Sequence, residues 1–188
     1  LSRDRNSTAT SPGVMARDIF HHILGQLGNR FARFCVLELA GPAIDAMGLD
    51  ARQTMTGNAM FTGALSAMIA PEGAMLDMAL GRARIALDPV ISDPGCTYVA
   101  EHTLDLAEVR LMVAVPPSPS NVRPLDEVAG TEVQVGYLGS CAAGRIDDLR
   151  AAAAVLRGRQ VRPGFALNVV PTSRRIMAQA EREGLLEV

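Results

Sequence analysis

The chain has 188 residues and a formal net charge of −2, with 48% hydrophobic and 20% charged residues. This balance is typical of a globular protein, and the length allows one ordinary domain or two small ones. Every cationic side chain is an arginine and no basic stripe is present, which argues against nucleic-acid binding. No apolar run is long enough to span a membrane.

The N-terminal residues and the cysteines indicate which kind of protein this is. Residues 1–12 are polar and lack the apolar core of a signal peptide, so we expect a disordered lead-in. The sequence does not begin with Met, and we expect either a processed product or part of a longer chain. Cys35, Cys96 and Cys141 are odd in number and widely spaced, which predicts reduced thiols in a cytoplasmic protein.

The first predicted lobe covers residues 13–87. Apolar residues at helical spacing predict a helix over 14–27, and Gly41-Pro42 predicts the start of a short helix. The β-leaning stretch 33–39 predicts a strand. A long buried helix over 52–69 and a short one over 75–80 complete this lobe, although Gly57 and Gly63 fall inside the long helix.

A proline-rich connector follows over residues 88–130. Six prolines interrupt it, and the sequence favours two short strands, over 97–104 and 109–115.

The second predicted lobe covers residues 131–188. Its pattern predicts a buried strand over 133–138, a helix over 146–156, a second buried strand over 165–170 and a helix ending near 182. This order is best satisfied by a right-handed crossover between parallel strands. The predicted fold class is therefore α/β, with two small three-layer lobes and largely parallel strands.

Cys141 is the residue that most clearly points to chemistry. It follows a predicted strand in the glycine-flanked turn before a helix, where ligands gather in α/β sheets and where a thiolate is stabilised. The position suits a metal ligand or a nucleophile, and equally a small residue that fills a turn. A nucleophile needs a base nearby, and the sequence shows none. Neither a CxxC motif nor a nearby histidine completes a metal site.

The segment around Cys141 resembles a known family. Residues 133–153, which include Gly139-Ser140-Cys141-Ala142-Ala143-Gly144-Arg145, are similar to the segment with the first cluster cysteine in large subunits of the aconitase and isopropylmalate dehydratase family. Further similar stretches lie on both sides of it, at 12–18, 37–41, 104–106, 115–122, 156–161, 169–174 and 180–185. The resemblance therefore spans nearly the whole chain beyond the lead-in.

The resemblance implies an aconitase iron–sulfur domain-like fold and a hydro-lyase activity. It implies a 4Fe-4S cluster held by three cysteines, with one iron left open to act as a Lewis acid on a substrate hydroxyl. The substrate would be a hydroxy di- or tricarboxylic acid such as isopropylmalate, homocitrate or citrate. Cys141 would be one cluster ligand, and a small swivelling subunit would be the partner.

Several positions depart from the family pattern. The family's other two cluster cysteines lie in a CxxC-type motif beyond the segment that ends here at Val188, and Ala142-Ala143 replaces the usual Thr-Asn. Asn58 matches an asparagine near the family's cluster and is a candidate substrate contact, although an ordinary helix hydrogen bond is the alternative. Thr62 stands where a glutamate is expected and cannot act as a carboxylate base. These departures favour a second interpretation, a degenerate cluster-free relative that acts as a binding or assembly subunit.

Overall fold

A computed structural model describes residues 10–141 and 143–187, which form two compact units divided between Val128 and Ala129. Of the expected lead-in, only residues 10–12 lie among those described. Helices alternate with short strands, and two of the three small sheets are parallel. The predicted α/β class is confirmed.

The first unit contains five helices and four strands among its described residues. The helices are α1 (Ala16–Leu27), α2 (Pro42–Asp45), α3 (Leu49–Asn58), α4 (Gly73–Arg82) and α5 (Leu125–Val128). The strands are β1 (Val36–Glu38), β2 (Ser66–Met68), β3 (Met112–Ala114) and β4 (Val122–Pro124). β1 and β2 pair in parallel, and β3 and β4 pair antiparallel.

The predicted helix α1 is confirmed and forms the centre of the first unit. Its apolar face is buried among residues from later in the chain; the core comprises Ile19, Phe20, Leu24, Leu39, Ile44, Met55, Ala59, Leu106 and Val109. The Asp18 carboxylate accepts hydrogen bonds from two parts of the chain. One carboxylate oxygen accepts the Met15 N–H at 2.9 Å at the start of the helix, and the other accepts the Met112 N–H of β3 at 2.8 Å. The same side chain therefore caps α1 and positions β3.

The predicted long helix over 52–69 is wrong in its second half. α3 ends at Asn58, a 3₁₀ turn continues over Ala59–Thr62, and Gly63 then takes a left-handed φ of 79°. A Cβ at Gly63 would lie 3.2 Å from the Arg33 Cα atom, so the chain reverses where only glycine fits well. The residues beyond it form β2 because they pair with β1, which is a tertiary contact that helical periodicity does not contain.

The connector also differs from the prediction. Residues 97–104 contain no strand, since none of the described strands pairs with this stretch; Tyr98 instead donates a side-chain hydrogen bond to Glu38. The predicted strand over 109–115 is present in shorter form as β3, and β4 is its partner. The short helix predicted over 75–80 is longer, as α4.

The second unit follows the predicted order. It consists of β5 (Val135–Gly139), α6 (Ile146–Leu156), β6 (Ala166–Val170) and α7 (Arg174–Arg182) among the described residues. β5 and β6 pair in parallel with Val135 opposite Ala166, which confirms the predicted pairing. The Ser173 hydroxyl accepts the Ile176 N–H at 3.2 Å and caps α7.

The strands of this unit are not buried, which corrects the expectation from their apolar sequences. Every residue of β6 is exposed, and Val135 and Tyr137 of β5 are 59% and 61% exposed. The small core lies where the two helices meet, and it comprises Ile146, Leu149, Ile176 and Ala180, with Leu138 and Leu185 packed against it. Two strands and two helices leave much of the sheet uncovered, whereas a parallel sheet is usually covered on both faces.

Candidate functional site

The turn that carries Cys141 joins the carboxyl end of β5 to the start of α6. Gly139 adopts a φ of 136°, and a Cβ there would overlap the carbonyl oxygen of Val170 at the end of β6. A Cβ on Gly144 would lie 2.7 Å from the same oxygen. Ser140 has a positive φ of 81°, which is strained for a residue with a side chain. The two glycines are therefore required for the turn to lie against β6.

Hydrogen bonds connect this turn to the end of β6 and to the residues that follow it. The Ser140 N–H donates to the Val170 carbonyl at 3.2 Å. Thr172 donates twice to the far side of the turn, from its hydroxyl to the Ala143 carbonyl at 2.9 Å and from its N–H to the Gly144 carbonyl at 3.0 Å. The turn is thus held at one end by Val170, the last residue of β6, and at the other by Thr172 just after the strand.

Cys141 is a free, exposed residue within this fixed turn. Its carbonyl oxygen accepts a hydrogen bond from Arg145 Nη2 at 3.5 Å. The residue lies where the sequence placed it, at the carboxyl end of a strand and before a helix. Ala142, which replaces a polar residue of the family turn, lies outside the described residues, whereas Ala143 is described.

The other cysteines lie in the first unit. Cys35 is half-buried and Cys96 is exposed, and neither is in a disulfide. Within residues 10–141 and 143–187, no three histidine, cysteine or acidic side chains are grouped so as to hold a metal ion. A thiolate is nevertheless the donor that iron–sulfur clusters use, so the exposed Cys141 fits the role of a single ligand.

Asn58 and Thr62 lie in the interior of the first unit, and both are fully buried. Asn58 Nδ2 donates to the Thr54 carbonyl at 2.7 Å. Its Oδ1 atom is buried and has no hydrogen-bond partner among the described residues. The Thr62 hydroxyl donates to the Ala59 carbonyl at 2.7 Å and accepts the Ala64 N–H at 3.3 Å. Thr62 therefore serves the end of the 3₁₀ turn.

A cavity of about 900 Å³ in the first unit was missed by the sequence reasoning. It lies at the carboxyl end of β1, where Glu38 is the last residue of the strand. Glu38 Oε2 accepts hydrogen bonds from the Tyr98 hydroxyl at 2.6 Å and the Ser92 hydroxyl at 2.7 Å. The sequence contained one indication of this cavity, because Glu38 is an acidic residue near the carboxyl end of a predicted strand, where ligands bind in parallel sheets.

These contacts alter the acidity of the groups involved. Hydrogen bonds from Tyr98 and Ser92 lower the pKa of the Glu38 carboxyl. Hydrogen bonds with Cys96 and Glu38 raise the pKa of Tyr98 to about 12. Glu38 is therefore ionised and Tyr98 neutral at physiological pH, which is the pairing that strengthens their hydrogen bond.

No helix in the part of the chain that the structure describes has the length and apolar character needed to cross a bilayer.

Comparison with known proteins agrees with the resemblance noted in the sequence. A family model described as the aconitase family (aconitate hydratase) matches residues 7–132 and 126–188. The 3-isopropylmalate dehydratase large subunit of Sulfurihydrogenibium sp. is 35% identical over 175 residues, which cover 93% of this chain and 41% of the relative. The corresponding large subunit of Nitratidesulfovibrio vulgaris is 36% identical over 181 residues, or 96% of this chain and 43% of the relative.

A relative with another name matches the same part of the chain. The probable methanogen homoaconitase large subunit of Methanosarcina mazei is 32% identical over 175 residues, which cover 93% of this chain and 44% of the relative. The chain thus spans about two fifths of the length of these curated relatives. Since the family model covers nearly all of its sequence, the chain belongs to the aconitase family.

Proposed function

We propose that this chain is part of an iron–sulfur hydro-lyase large subunit that reversibly dehydrates and rehydrates a hydroxy di- or tricarboxylic acid. Isopropylmalate and homocitrate are the substrates that fit the names of its relatives, and citrate is the substrate that fits the family description. The observation that carries the proposal is the exposed cysteine in a glycine-dependent turn at the carboxyl end of a parallel strand.

In this proposal Cys141 is one ligand of a 4Fe-4S cluster, and the other ligands come from sequence or chains outside the described residues. The bound cluster would supply a Lewis-acidic iron that polarises the substrate hydroxyl. The chain's own contribution is to place the thiolate. Gly139 and Gly144 allow the turn to lie against β6, and Thr172 holds it there with two hydrogen bonds.

A turn fixed in this way is suited to carry a metal-binding cysteine, because the position of the cysteine does not depend on the metal being bound. The hydrogen bonds of Ser140 and Thr172 hold the turn on both sides of Cys141 in the sequence, so they restrain the backbone that carries its side chain. Precise placement of first-shell groups by surrounding contacts is a general requirement for such sites.

Asn58 is proposed as a further contact for the substrate, or for a water that serves it. Its Oδ1 atom is buried without a partner in the described residues, and leaving such an atom unpaired costs roughly 1–3 kcal/mol. A bound water or ligand group would recover this free energy. Because Asn58 is fully buried, a direct contact with substrate requires the surrounding packing to open.

The partner in this proposal is a small swivelling subunit. The names of the relatives describe large subunits, which supports the existence of a smaller one. The exposed apolar strands of the second unit, with Val135 and Tyr137 more than half exposed, also support a covering surface from another domain or chain.

A second candidate is a cluster-free relative that acts as a binding or assembly subunit. Thr62 favours it, because this residue stands where the family has a glutamate and both hydrogen bonds of its buried hydroxyl serve local backbone. A hydroxyl used in this way cannot transfer a proton to substrate. Such a subunit would bind its partner without any requirement for Cys141.

Hydration activity separates the two candidates. The native protein that contains this chain would be purified anaerobically together with the proposed small subunit. It would then be assayed on the unsaturated acids related to isopropylmalate, homocitrate and citrate. We expect activity that Cys141→Ala abolishes, whereas the matched substitution Cys35→Ala preserves it. Activity that survives Cys141→Ala would exclude the cluster role, and loss of activity with both variants would show only that the fold is damaged. Complete inactivity of the unaltered protein, together with stable binding of the partner, would support the second candidate.

A further inference from the structure

The cavity of the first unit has one wall that differs from the others. Residues 91–104 form much of its lining, and all of them are described. This segment contains no helix or strand, and residues 91–103 are all exposed. Its backbone makes one turn, in which the Cys96 N–H donates to the Asp93 carbonyl at 3.1 Å. We call residues 91–104 the flap.

Part of the remaining lining belongs to helices and strands or lies directly beside them. Phe20 and Ile23 of α1, the carboxyl end of β1, and Ile69 just after β2 line the cavity opposite the flap. Phe20 belongs to the buried core of the unit, and Ile23 and Ile69 pack against that core. This side of the cavity therefore keeps its position as long as the unit is folded, because moving it would break the core.

Side-chain contacts hold the flap at two places. Near its start and middle, the hydroxyls of Ser92 and Tyr98 both donate to the same oxygen of Glu38, at 2.7 and 2.6 Å. Near its end, the His102 ring packs edge-on against Phe31, with ring centroids 6.1 Å apart and an interplanar angle of 83°. We call the two hydrogen bonds to Glu38 the Glu38 clasp. Because Glu38 lies on β1, this clasp connects the irregular flap to the parallel sheet.

We propose that residues 91–104 are a movable flap that opens and closes the cavity at the carboxyl end of β1, and that the Glu38 clasp with Ser92 and Tyr98 holds it shut. An exposed segment with few buried contacts opens locally at lower cost than the folded core. Two hydrogen bonds to an ionised carboxylate are the strongest contacts that the flap makes with the sheet. Their loss therefore favours the open state.

The charge of the cavity lining does not match the substrates of the proposed hydro-lyase activity. The residues that line the cavity include five carboxylates, and no arginine is among the described lining residues. The acidic side chains are Glu38, Asp45, Glu72, Asp93 and Glu101. This charge disfavours a di- or tricarboxylic acid. The flap can therefore be tested without reference to the activity of Cys141.

Limited digestion with chymotrypsin tests the clasp directly. The protease cleaves after aromatic residues and must take the side chain of residue 98 into its own pocket, so cleavage there requires Tyr98 to leave Glu38. Tyr98→Phe keeps the cleavage site and removes only the hydroxyl, while Glu38→Gln removes the charge that both hydroxyls share. We expect each variant to be cleaved after residue 98 about three to ten times faster than the unaltered protein, as the open population rises.

Two controls make the result specific. Glu72→Gln removes another carboxylate from the cavity lining, outside the flap, and is expected to leave the rate unchanged. Cleavage after Phe165 in the second unit, measured in the same digest, reports any general loss of stability. If Glu38→Gln fails to fold, Tyr98→Phe and Ser92→Ala carry the test. Unchanged cleavage after residue 98 in folded Tyr98→Phe and Ser92→Ala variants would overturn the proposal.

Discussion

The two units of this protein are stabilised in different ways. The first is built around α1, whose Phe20 and Leu24 are completely or almost completely buried in an apolar core. The second has a smaller core at the meeting of α6 and α7, and its strands are exposed. Its glycine turn approaches β6 closely, and an exposed ion pair joins Arg150 to Glu183, with 2.7 Å between Nη2 and Oε1. The unit with the candidate ligand thus depends on backbone conformation more than on packing.

The largest effect that this comparison predicts comes from Gly139→Ala. The new methyl group would overlap the Val170 carbonyl oxygen, and the residue would keep a φ that disfavours side chains. We expect the second unit to lose about 4 kcal/mol or more of unfolding free energy. Hydrogen exchange of peptides from β5 and β6, followed by mass spectrometry, would measure the loss in this unit alone.

Gly158→Ala is the matched control for that substitution. Gly158 also has a positive φ, of 71°, but a Cβ there meets no atom within 4 Å. We expect a loss of only about 1 kcal/mol from the backbone conformation. Equal losses for the two variants would show that close approach to β6 does not matter, and the proposed fixing of the Cys141 turn would then be wrong.

Leu24→Ala is predicted to have the next largest effect, and it should act on the first unit. Leu24 is fully buried, so truncation leaves a cavity in the core and costs about 3 kcal/mol. The exposed Leu65, at 70%, provides the control, and Leu65→Ala is expected to change stability by less than about 0.5 kcal/mol. Urea unfolding followed by circular dichroism compares them. Similar costs for both leucines would contradict a first unit stabilised by packing around α1.

The smallest predicted effect concerns pH. Arg150 donates two hydrogen bonds to the Glu183 carboxylate, at 2.7 and 2.8 Å, and these contacts lower the pKa of Glu183 from 4.5 to about 2. Because this pKa is lower in the folded state, the stabilisation is present above about pH 4.5 and is lost as the pH falls towards 2. Both groups are exposed, so the contribution is small.

Acid titration of variants tests this linkage. Glu183→Gln should destabilise the second unit at neutral pH and flatten the dependence of its stability on pH between about 4.5 and 2. Glu181→Gln, which removes an exposed carboxylate from α7 itself, is the control and should retain the wild-type dependence. Hydrogen exchange in peptides from α6 and α7 provides the measurement. An identical pH profile for Glu183→Gln and the unaltered protein would show that the ion pair contributes nothing.

The second unit could be predicted from sequence almost element by element because its signals are local. Helical periodicity, the Ser173 cap and the glycine turn are each contained within a few residues, and the structure has α6 over the predicted span. Burial was predicted wrongly, since an apolar run such as β6 does not reveal whether another layer covers it. The position of Cys141 was predictable, whereas its ligand role stays a prediction.

In the first unit the decisive contacts join distant parts of the chain. β2 is a strand because β1 lies beside it, and the hydrogen bonds of Glu38 come from residues 54 and 60 positions away. Neither relationship is visible in local periodicity, so the long helix was extended too far and the cavity was missed. The burial of Asn58 likewise depends on the packing of the whole unit.

The most direct test of the account is the iron and sulfide content of the native protein, purified anaerobically together with the proposed small subunit. The account predicts about four irons and four sulfides per chain, which Cys141→Ser loses in part or entirely while Cys35→Ser retains them. An unaltered protein without iron and sulfide after anaerobic reconstitution, or a Cys141→Ser variant with the full content, would contradict the role of Cys141 as a cluster ligand.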